Sequence, residues 1–311
     1  MTKAAAARAV VFAYHNVGVR GLAVLLANGV NVELVVTHED SPTENIWFGS
    51  VAALAQLNDI PVITPKDPNH ADIVARVKAC QAEFIFSFYY RHMLGAEILN
   101  LATRGAYNLH GSLLPQYRGR APVNWAVLYG ESETGATLHR MVVKPDAGSI
   151  VDQQAVPILP NDTAHDVFQK VTCAAEQLLV RTVPRLLTGT ATETPQDLSQ
   201  GKYFSGRKPE DGRIDWRWGA WPIHNLIRTV APPYPGAFFD LGSDRIHLLG
   251  SYYRKEKAQS SATRLYWQDN RCWVDCADGE RLLITAITIN QHAVDASSFQ
   301  QHFKRTELQV F

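Results

Sequence analysis

Cysteine is scarce in this sequence. Cys80, Cys173, Cys272 and Cys276 are scattered over 311 residues, which excludes a disulfide framework and suits a reducing compartment. Cys272 and Cys276 sit in an alternating, strand-like stretch. There they would share one face roughly 13 Å apart at about 3.3 Å per residue, too far for one zinc or one disulfide, so packing is their expected role. Net charge is absent as well: 30 Lys and Arg face 30 Asp and Glu. No global field then recruits a polyanion, which counts against a nucleic-acid substrate while leaving room for a local patch. No segment reaches the ~20 apolar residues of a membrane span, and the start, Met1-Thr-Lys followed by four alanines, lacks the apolar core of a signal peptide. The expectation is a cytoplasmic protein. No internal repeat is visible, and metal-ligand spacing is missing. G-x-G-x-x-G, the P-loop, G-x-S-x-G and H-E-x-x-H are also absent, which removes dinucleotide binding, nucleotide hydrolysis, serine esterases and zinc peptidases as leading ideas. Gly18 and Gly21 alone follow the first strand, and they read as turn residues.

What is present is a substantial core, with 46% hydrophobic and 19% charged residues. Residues 9–100 alternate β-branched runs with helix-like stretches. Strands are expected at 9–14, 32–37, 60–63, 84–88 and 106–109, with helices at 21–28, 48–57 and 71–80. That alternation predicts an α/β fold, a doubly wound and mostly parallel sheet covered on both faces. Residues 138–143 and 149–156 read as paired strands. A long helix follows, opened by Thr163 and Asp166 as a capping pair and continued by Val167, Phe168, Val171, Ala175, Leu178 and Leu179 at helical spacing. The polar stretch 189–213 reads as a linker. Beyond it, strand-like runs at 237–241, 245–254, 264–268, 271–276 and 281–289 predict a small antiparallel barrel.

The most informative segment is Gly105-Ala-Tyr-Asn-Leu-His-Gly-Ser-Leu-Leu-Pro-Gln-Tyr-Arg-Gly-Arg-Ala-Pro122. On a strand, residues i and i+2 share a face, so Asn108 and His110 point into one site. Their position at a strand end is where ligands bind in parallel sheets. An amide that can hydrogen-bond a developing oxyanion, beside a group that moves a proton, is the minimum kit for acyl transfer. Asp146, in Pro-Asp-Ala-Gly, offers a carboxylate, and reads equally as a turn former.

Asn-x-His-x-Ser-Leu-Leu-Pro-x-Tyr-Arg-Gly followed by Asp-x-Gly resembles the 10-formyltetrahydrofolate-dependent formyltransferases. The likeness extends through Phe84–Met93, Asn124-Trp125, Thr134–Met141 and Pro233–Phe238, and so over essentially the whole chain. Within the family it is most similar to members that formylate UDP-4-amino-4-deoxy-L-arabinose, the front half of bifunctional polymyxin-resistance enzymes. The resemblance implies a Rossmann-like formyltransferase domain over 1–206 and an OB-like barrel domain over 207–311. It implies Asn108, His110 and Asp146 as the catalytic trio, with Asp146 raising the pKa of His110. It implies a site for 10-formyltetrahydrofolate, as co-substrate and without metal, formed by His92, Met93, Leu94, Arg120, Val142, Val143, Lys144, Pro145 and Asp146. Read without the family, His92-Met-Leu would be ordinary core packing.

Three readings of the acceptor follow. A nucleotide-linked amino sugar is the first and methionyl-tRNA the second. The third is a degenerate front domain with the barrel as a binding module, which an intact Asn–His–Asp set opposes. Residues 201–311 hold 15 Lys and Arg against 12 Asp and Glu, an excess of only +3, and the loop His38-Glu-Asp-Ser-Pro-Thr-Glu-Asn45 is acidic. A tRNA acceptor stem needs a basic footprint, so the small UDP-sugar substrate is expected and nucleic acid is not. The resembled enzymes also carry a decarboxylating dehydrogenase half that these 311 residues lack. Either that partner activity belongs to a separate chain, or the enzyme serves a different sugar alone.

Overall fold

The computed structural model describes residues 6–42 and 44–310. Residues 1–5, read above for a leader, and Thr43 in the acidic loop lie outside the described residues. Two compact units emerge: the first runs up to Pro122 and takes in Thr134–Val156 and Gln169–Ser205, and the second holds Val123–Glu133, Pro157–Phe168 and 206–311.

In the first unit, β1 (Arg8–Ala13), β2 (Asn31–Val36), β3 (Val62–Ile63), β4 (Phe84–Phe88) and β5 (Gly105–His110) pair in parallel, in the order β3-β2-β1-β4-β5. The sequences explain why. Val10-Val-Phe-Ala13 and Phe84-Ile-Phe-Ser-Phe88 are apolar on both faces, as central parallel strands must be, and all of these residues are buried. Helices α1 (His15–Ala27), α2 (Val51–Gln56), α3 (Ala71–Ala79) and α4 (Ala96–Leu99) fill the crossovers. Gly18 and Gly21, expected in a turn, lie inside α1. A Cβ on Gly21 would fall 2.5 Å from the Phe88 ring, so that glycine lets the helix lie close on β4.

The two-residue strand β6 (Arg118–Gly119) lies in the loop after β5, and α5 spans Pro122–Leu128. Next come β7 (Glu133–Arg140), antiparallel to β5, and β8 (Ile150–Pro157), which completes the seven-stranded sheet. Helix α6 (Ala164–Thr188) starts with the expected reciprocal cap. Thr163 N–H donates to Asp166 at 2.9 Å, and Asp166 N–H donates to Thr163 Oγ1 at 3.1 Å. Its later turns bury Val171, Leu178, Leu179 and Val183, while Arg181 and Thr182 both reach Asp152 on β8 at 2.7 Å.

The presumed linker departs from expectation in its first part. Glu193 pairs with Arg140, Thr194 and Ile150 exchange backbone hydrogen bonds, and β9 (Tyr203–Phe204) pairs in parallel with β6. This segment is polar because its partners are charges and main chain, not because it is loose.

In the second unit, β10 (Ala237–Leu241), β11 (Asp244–Tyr252), β12 (Arg264–Gln268), β13 (Arg271–Asp275) and β14 (Arg281–Ile289) form the expected antiparallel sheet. It is extended by β15 (His292–Ala293) and β16 (Glu307–Gln309). The path β10-β11-β14-β13-β12-β16 makes an antiparallel half-barrel. Two helices unforeseen from the sequence join it, α7 (Ala220–Val230) and α8 (Ala296–Phe303). Ile223, Leu226 and Ile227 of α7 share one core with Ile246, Leu248, Val274, Ile284 and Phe299. Cys272 and Cys276 are buried in that core as free thiols, and burial pushes the Cys276 thiol up to about 12. No helix among the described residues is long and apolar enough to cross a membrane.

Candidate active site

The switch in strand order lies between β1 and β4, and β5 ends beside it. Asn108 and His110 lie within the last three residues of β5, on one face, as their spacing requires. The register with β7 sets Asn108 opposite His139 and His110 opposite Thr137. The same face of β7 therefore adds a histidine and a hydroxyl to the site. Thr137 Oγ1 donates to the Ser112 carbonyl at 2.6 Å and accepts from Leu114 N–H at 3.1 Å, which fixes the loop that follows His110.

His110 is buried, with its Nε2 2.9 Å from the Tyr117 carbonyl and its Nδ1 3.6 Å from Asp146 Oδ1. A carbonyl only accepts, so Nε2 carries the hydrogen and the neutral ring has its lone pair at Nδ1. His139, 2% exposed, accepts from Asn108 Nδ2 at Nε2, 3.1 Å away. Its Nδ1–H donates to the Arg140 carbonyl at 2.9 Å, and its Nε2 is 3.5 Å from Asp146 Oδ1. Asp146 accepts Gly119 N–H at 2.8 Å through Oδ2. Four side chains from β5, β7 and the β7–β8 loop thus meet: Asn108 is hydrogen-bonded to His139 at 3.1 Å, and the His139 and His110 rings lie 3.5 and 3.6 Å from Asp146.

Asp146 is both things the sequence offered. It sits in a turn at φ +49°, and its carboxylate faces the two rings. The Asp-Ala-Gly spacing has a steric reason: a Cβ on Gly148 would lie 1.9 Å from the Arg140 carbonyl oxygen, the acceptor for His139. Gly119, at φ +101°, is similarly required, because a Cβ there would fall 2.2 Å from the Phe204 carbonyl oxygen.

Burial acts to raise the Asp146 pKa. The charge of His110, the His139 contact and the Gly119 N–H outweigh it, and the carboxyl is held down at about 2. For His110 the expected direction is corrected. Burial is the dominant effect and lowers its pKa, while Asp146 and the Tyr117 carbonyl pull upward without overcoming it. Asp146 therefore limits the depression of a base that stays neutral at physiological pH.

The residues expected to hold a folate are placed unevenly. His92 and Met93 are exposed in the loop after β4, with Met93 55% exposed and its carbonyl fixed by Asn69 Nδ2 at 2.9 Å. Leu94 is buried in a core cluster with Val10, Ile85 and Ala106. Val142, Val143 and Lys144 are exposed between β7 and Asp146, and Pro145 is half-buried. Arg120 is exposed, and its N–H donates to the Phe204 carbonyl at 3.0 Å. The acidic loop is less repulsive than its composition implies, since Glu44 is ion-paired with Arg91 and Asp40 accepts from Tyr14 at 2.6 Å. Among the described residues no group of three or more His, Cys, Asp or Glu could hold a metal ion.

Two family matches cover most of the chain: "Formyl transferase" over residues 13–183 and "Formyl transferase, C-terminal domain" over 207–304. The chain belongs to the formyl transferase family and is a formyltransferase. Among solved structures it is similar to an N-formyltransferase from Helicobacter canadensis in complex with folinic acid and dTDP-3-aminofucose. Identity is 22%, the TM-score 0.70, and the match covers 90% of this chain and 98% of that one. It is also similar to WlaRD, a sugar 3N-formyltransferase solved with dTDP and 5-N-formyl-THF, at 21% identity and TM-score 0.69, with coverage of 93% and 97%. HypX from Aquifex aeolicus, in complex with tetrahydrofolic acid, matches at 16% identity and TM-score 0.64, with 96% of this chain and 47% of that one covered.

Proposed function

We propose that this formyltransferase carries the formyl group of 10-formyltetrahydrofolate to the amine of a nucleotide-linked amino sugar. The first-choice acceptor is UDP-4-amino-4-deoxy-L-arabinose, the precursor of a lipid A modification that confers polymyxin resistance. The observation that carries the reading is the convergence of Asn108, His110 and Asp146 at the end of β5 in a chain of this family. Two solved structures of similar fold, the Helicobacter canadensis N-formyltransferase and WlaRD, bear names and ligands of sugar formylation, which supports the substrate class. The motif matches over 84–93 and 108–112 support the particular sugar.

The proposed chemistry needs only this chain's groups and the two substrates. The sugar amine attacks the formyl carbon, forming a C–N bond, and the carbonyl oxygen becomes an oxyanion. An Asn108 N–H donates to that oxyanion, an interaction worth ~3 kcal/mol in comparable sites. His110 takes the amine's proton at Nδ1, where Asp146 faces the imidazolium that results. The bond from the formyl carbon to folate N10 then breaks, and His110 returns the proton to N10. In this reading His92, Met93, Arg120 and residues 142–146 flank the folate, while Leu94 supports them from the core. Residues 1–206 act as the catalytic domain and 207–311 as an OB-like accessory domain, in a cytoplasmic enzyme.

The test offers the purified enzyme formylfolate with UDP-4-amino sugars, dTDP-linked amino sugars and charged initiator tRNA. Formylation of the UDP-sugar with the highest kcat/KM is expected. Preference for the tRNA would end the sugar reading, and activity confined to a dTDP-sugar would change the carrier.

A further inference from the structure

We infer that His139 is a positioning residue that determines which end of the Asn108 amide faces the reaction. The inference rests on the formyl-transfer reading of this same site. An asparagine amide has nearly the same shape with oxygen and nitrogen exchanged. Only its hydrogen-bond partners decide whether a donor or an acceptor is presented to the developing oxyanion. A flipped Asn108 would set an oxygen lone pair against that oxyanion and oppose the reaction it should assist.

The structure supplies a chain of partners that removes the ambiguity. The Arg140 carbonyl can only accept, so it fixes the hydrogen of the His139 ring on Nδ1, 2.9 Å away. In a neutral ring Nε2 then accepts; Asp146 Oδ1, 3.5 Å from the same atom, is the neighbour that favours a hydrogen there instead, which is why the ring's protonation is the first thing to measure. Nε2 lies 3.1 Å from Asn108 and draws the Nδ2 end toward β7. With one N–H held by His139, the second N–H on the same nitrogen is the donor left for substrate. The chain is rigid at each link. His139 is 2% exposed and directly opposite Asn108 in the β5–β7 register, and Gly148 leaves room for the Arg140 carbonyl where a Cβ would sit 1.9 Å from it. His139 touches no reacting atom in this scheme. It acts through Asn108, and a buried histidine satisfied on both nitrogens could otherwise pass for ordinary packing.

Two measurements test the inference. The first is on the wild-type protein without substrate: nitrogen-15 NMR of the histidine rings. The expected signature of neutral His139 is a protonated Nδ1, and a protonated Nε2 would overturn the proposal. The second is kinetic. His139→Leu should lower kcat by roughly 100-fold, the scale of losing one oxyanion donor, with the KM for formylfolate nearly unchanged. His139→Gln, whose side-chain oxygen can accept from Asn108, should recover most of that loss. In an Asn108→Ala background, His139→Leu should add almost nothing, because its effect passes through the amide. Wild-type turnover in His139→Leu, or fully multiplicative losses in the double variant, would overturn it. If His139→Leu does not fold, the glutamine variant and the ring tautomer still decide. Wild-type enzyme that formylates no amino sugar would end the functional reading, while the tautomer would still stand as evidence on His139.

Discussion

At the scale of single residues, the pH dependence of His110 is the sharpest consequence of the geometry. Its pKa is lowered chiefly by burial, and Asp146 partly offsets this. The neutral, proton-accepting form therefore persists below the ordinary histidine value of ~6.5. Replacing Asp146 by Asn removes the upward pull, so the acid limb of kcat/KM assigned to His110 should move to lower pH. At the same time kcat should fall by roughly 100-fold or more, because the imidazolium loses its counter-charge. The substrate amine contributes a limb common to both enzymes, so the difference between the two profiles isolates His110. A limb that moves upward, or stays in place, would refute this electrostatic role. Asn108→Ala and His110→Ala should each cut turnover at least ~100-fold with melting behaviour close to wild type. Turnover within a few-fold of wild type would remove either residue from the mechanism. Asn108 and His110 could be paired from the sequence because a period-2 strand is a local signal, whereas Asp146 joined them there only through the family resemblance, its turn alone leaving the choice open. His139 was not legible there, although it stands in the quoted stretch Thr134–Met141. Its importance comes from lying opposite Asn108 across a strand pair 31 residues apart, which no local pattern shows.

At the scale of elements, the runs apolar on both faces were readable almost to the residue, β4 among them, because burial on both faces leaves little choice of side chain. Helix α7 was missed although Ala220, Ile223, Leu226, Ile227 and Val230 recur at helical spacing. Trp221, Pro222, His224, Asn225 and Arg228 interrupt the pattern, and several of these are buried polar groups with partners inside the fold. His224 is one of them. It is fully buried, its Nε2–H donates to the Pro160 carbonyl at 2.9 Å, and its Nδ1 accepts from Ser251 at 2.8 Å. Burial, with the charge of Arg228 adding to it, drives the pKa down to about 4 despite the opposing Pro160 contact. The folded pKa lies below the unfolded one, so the unfolded chain binds the proton first and stability is lost as pH falls from about 6.5 to about 4. The two pKa values imply a loss on the order of 3 kcal/mol. Denaturant melts of wild type and His224→Gln should therefore diverge in slope across that window, the variant being weaker at pH 7.5 and flatter with acid. Parallel pH dependences would show that His224 is not the titrating group.

At the scale of the whole molecule, the balance of 30 basic and 30 acidic residues weighs against a polyanionic acceptor. The local picture agrees with the total. Several cations of the first unit are already committed to carboxylates on the same unit: Arg91 to Glu44, Arg140 to Glu193 and Arg181 to Asp152. Binding a tRNA would require releasing counterions from many phosphates, with log K falling by about 0.7 to 0.9 per phosphate for each tenfold rise in salt. A sugar nucleotide presents only a diphosphate, so about two such contacts suffice. Between 50 and 200 mM salt the kcat/KM for the UDP-sugar should then fall by no more than ~10-fold, whereas six or more phosphate contacts would cost ~1,000-fold. The measurement is a salt series of initial rates at low substrate, read as the slope of log kcat/KM against log salt. A slope between zero and about −2 fits a sugar-nucleotide site. A slope steeper than about −5 would mean that a polyanion-binding surface assembles despite the neutral total, and the acceptor assignment would fall with it.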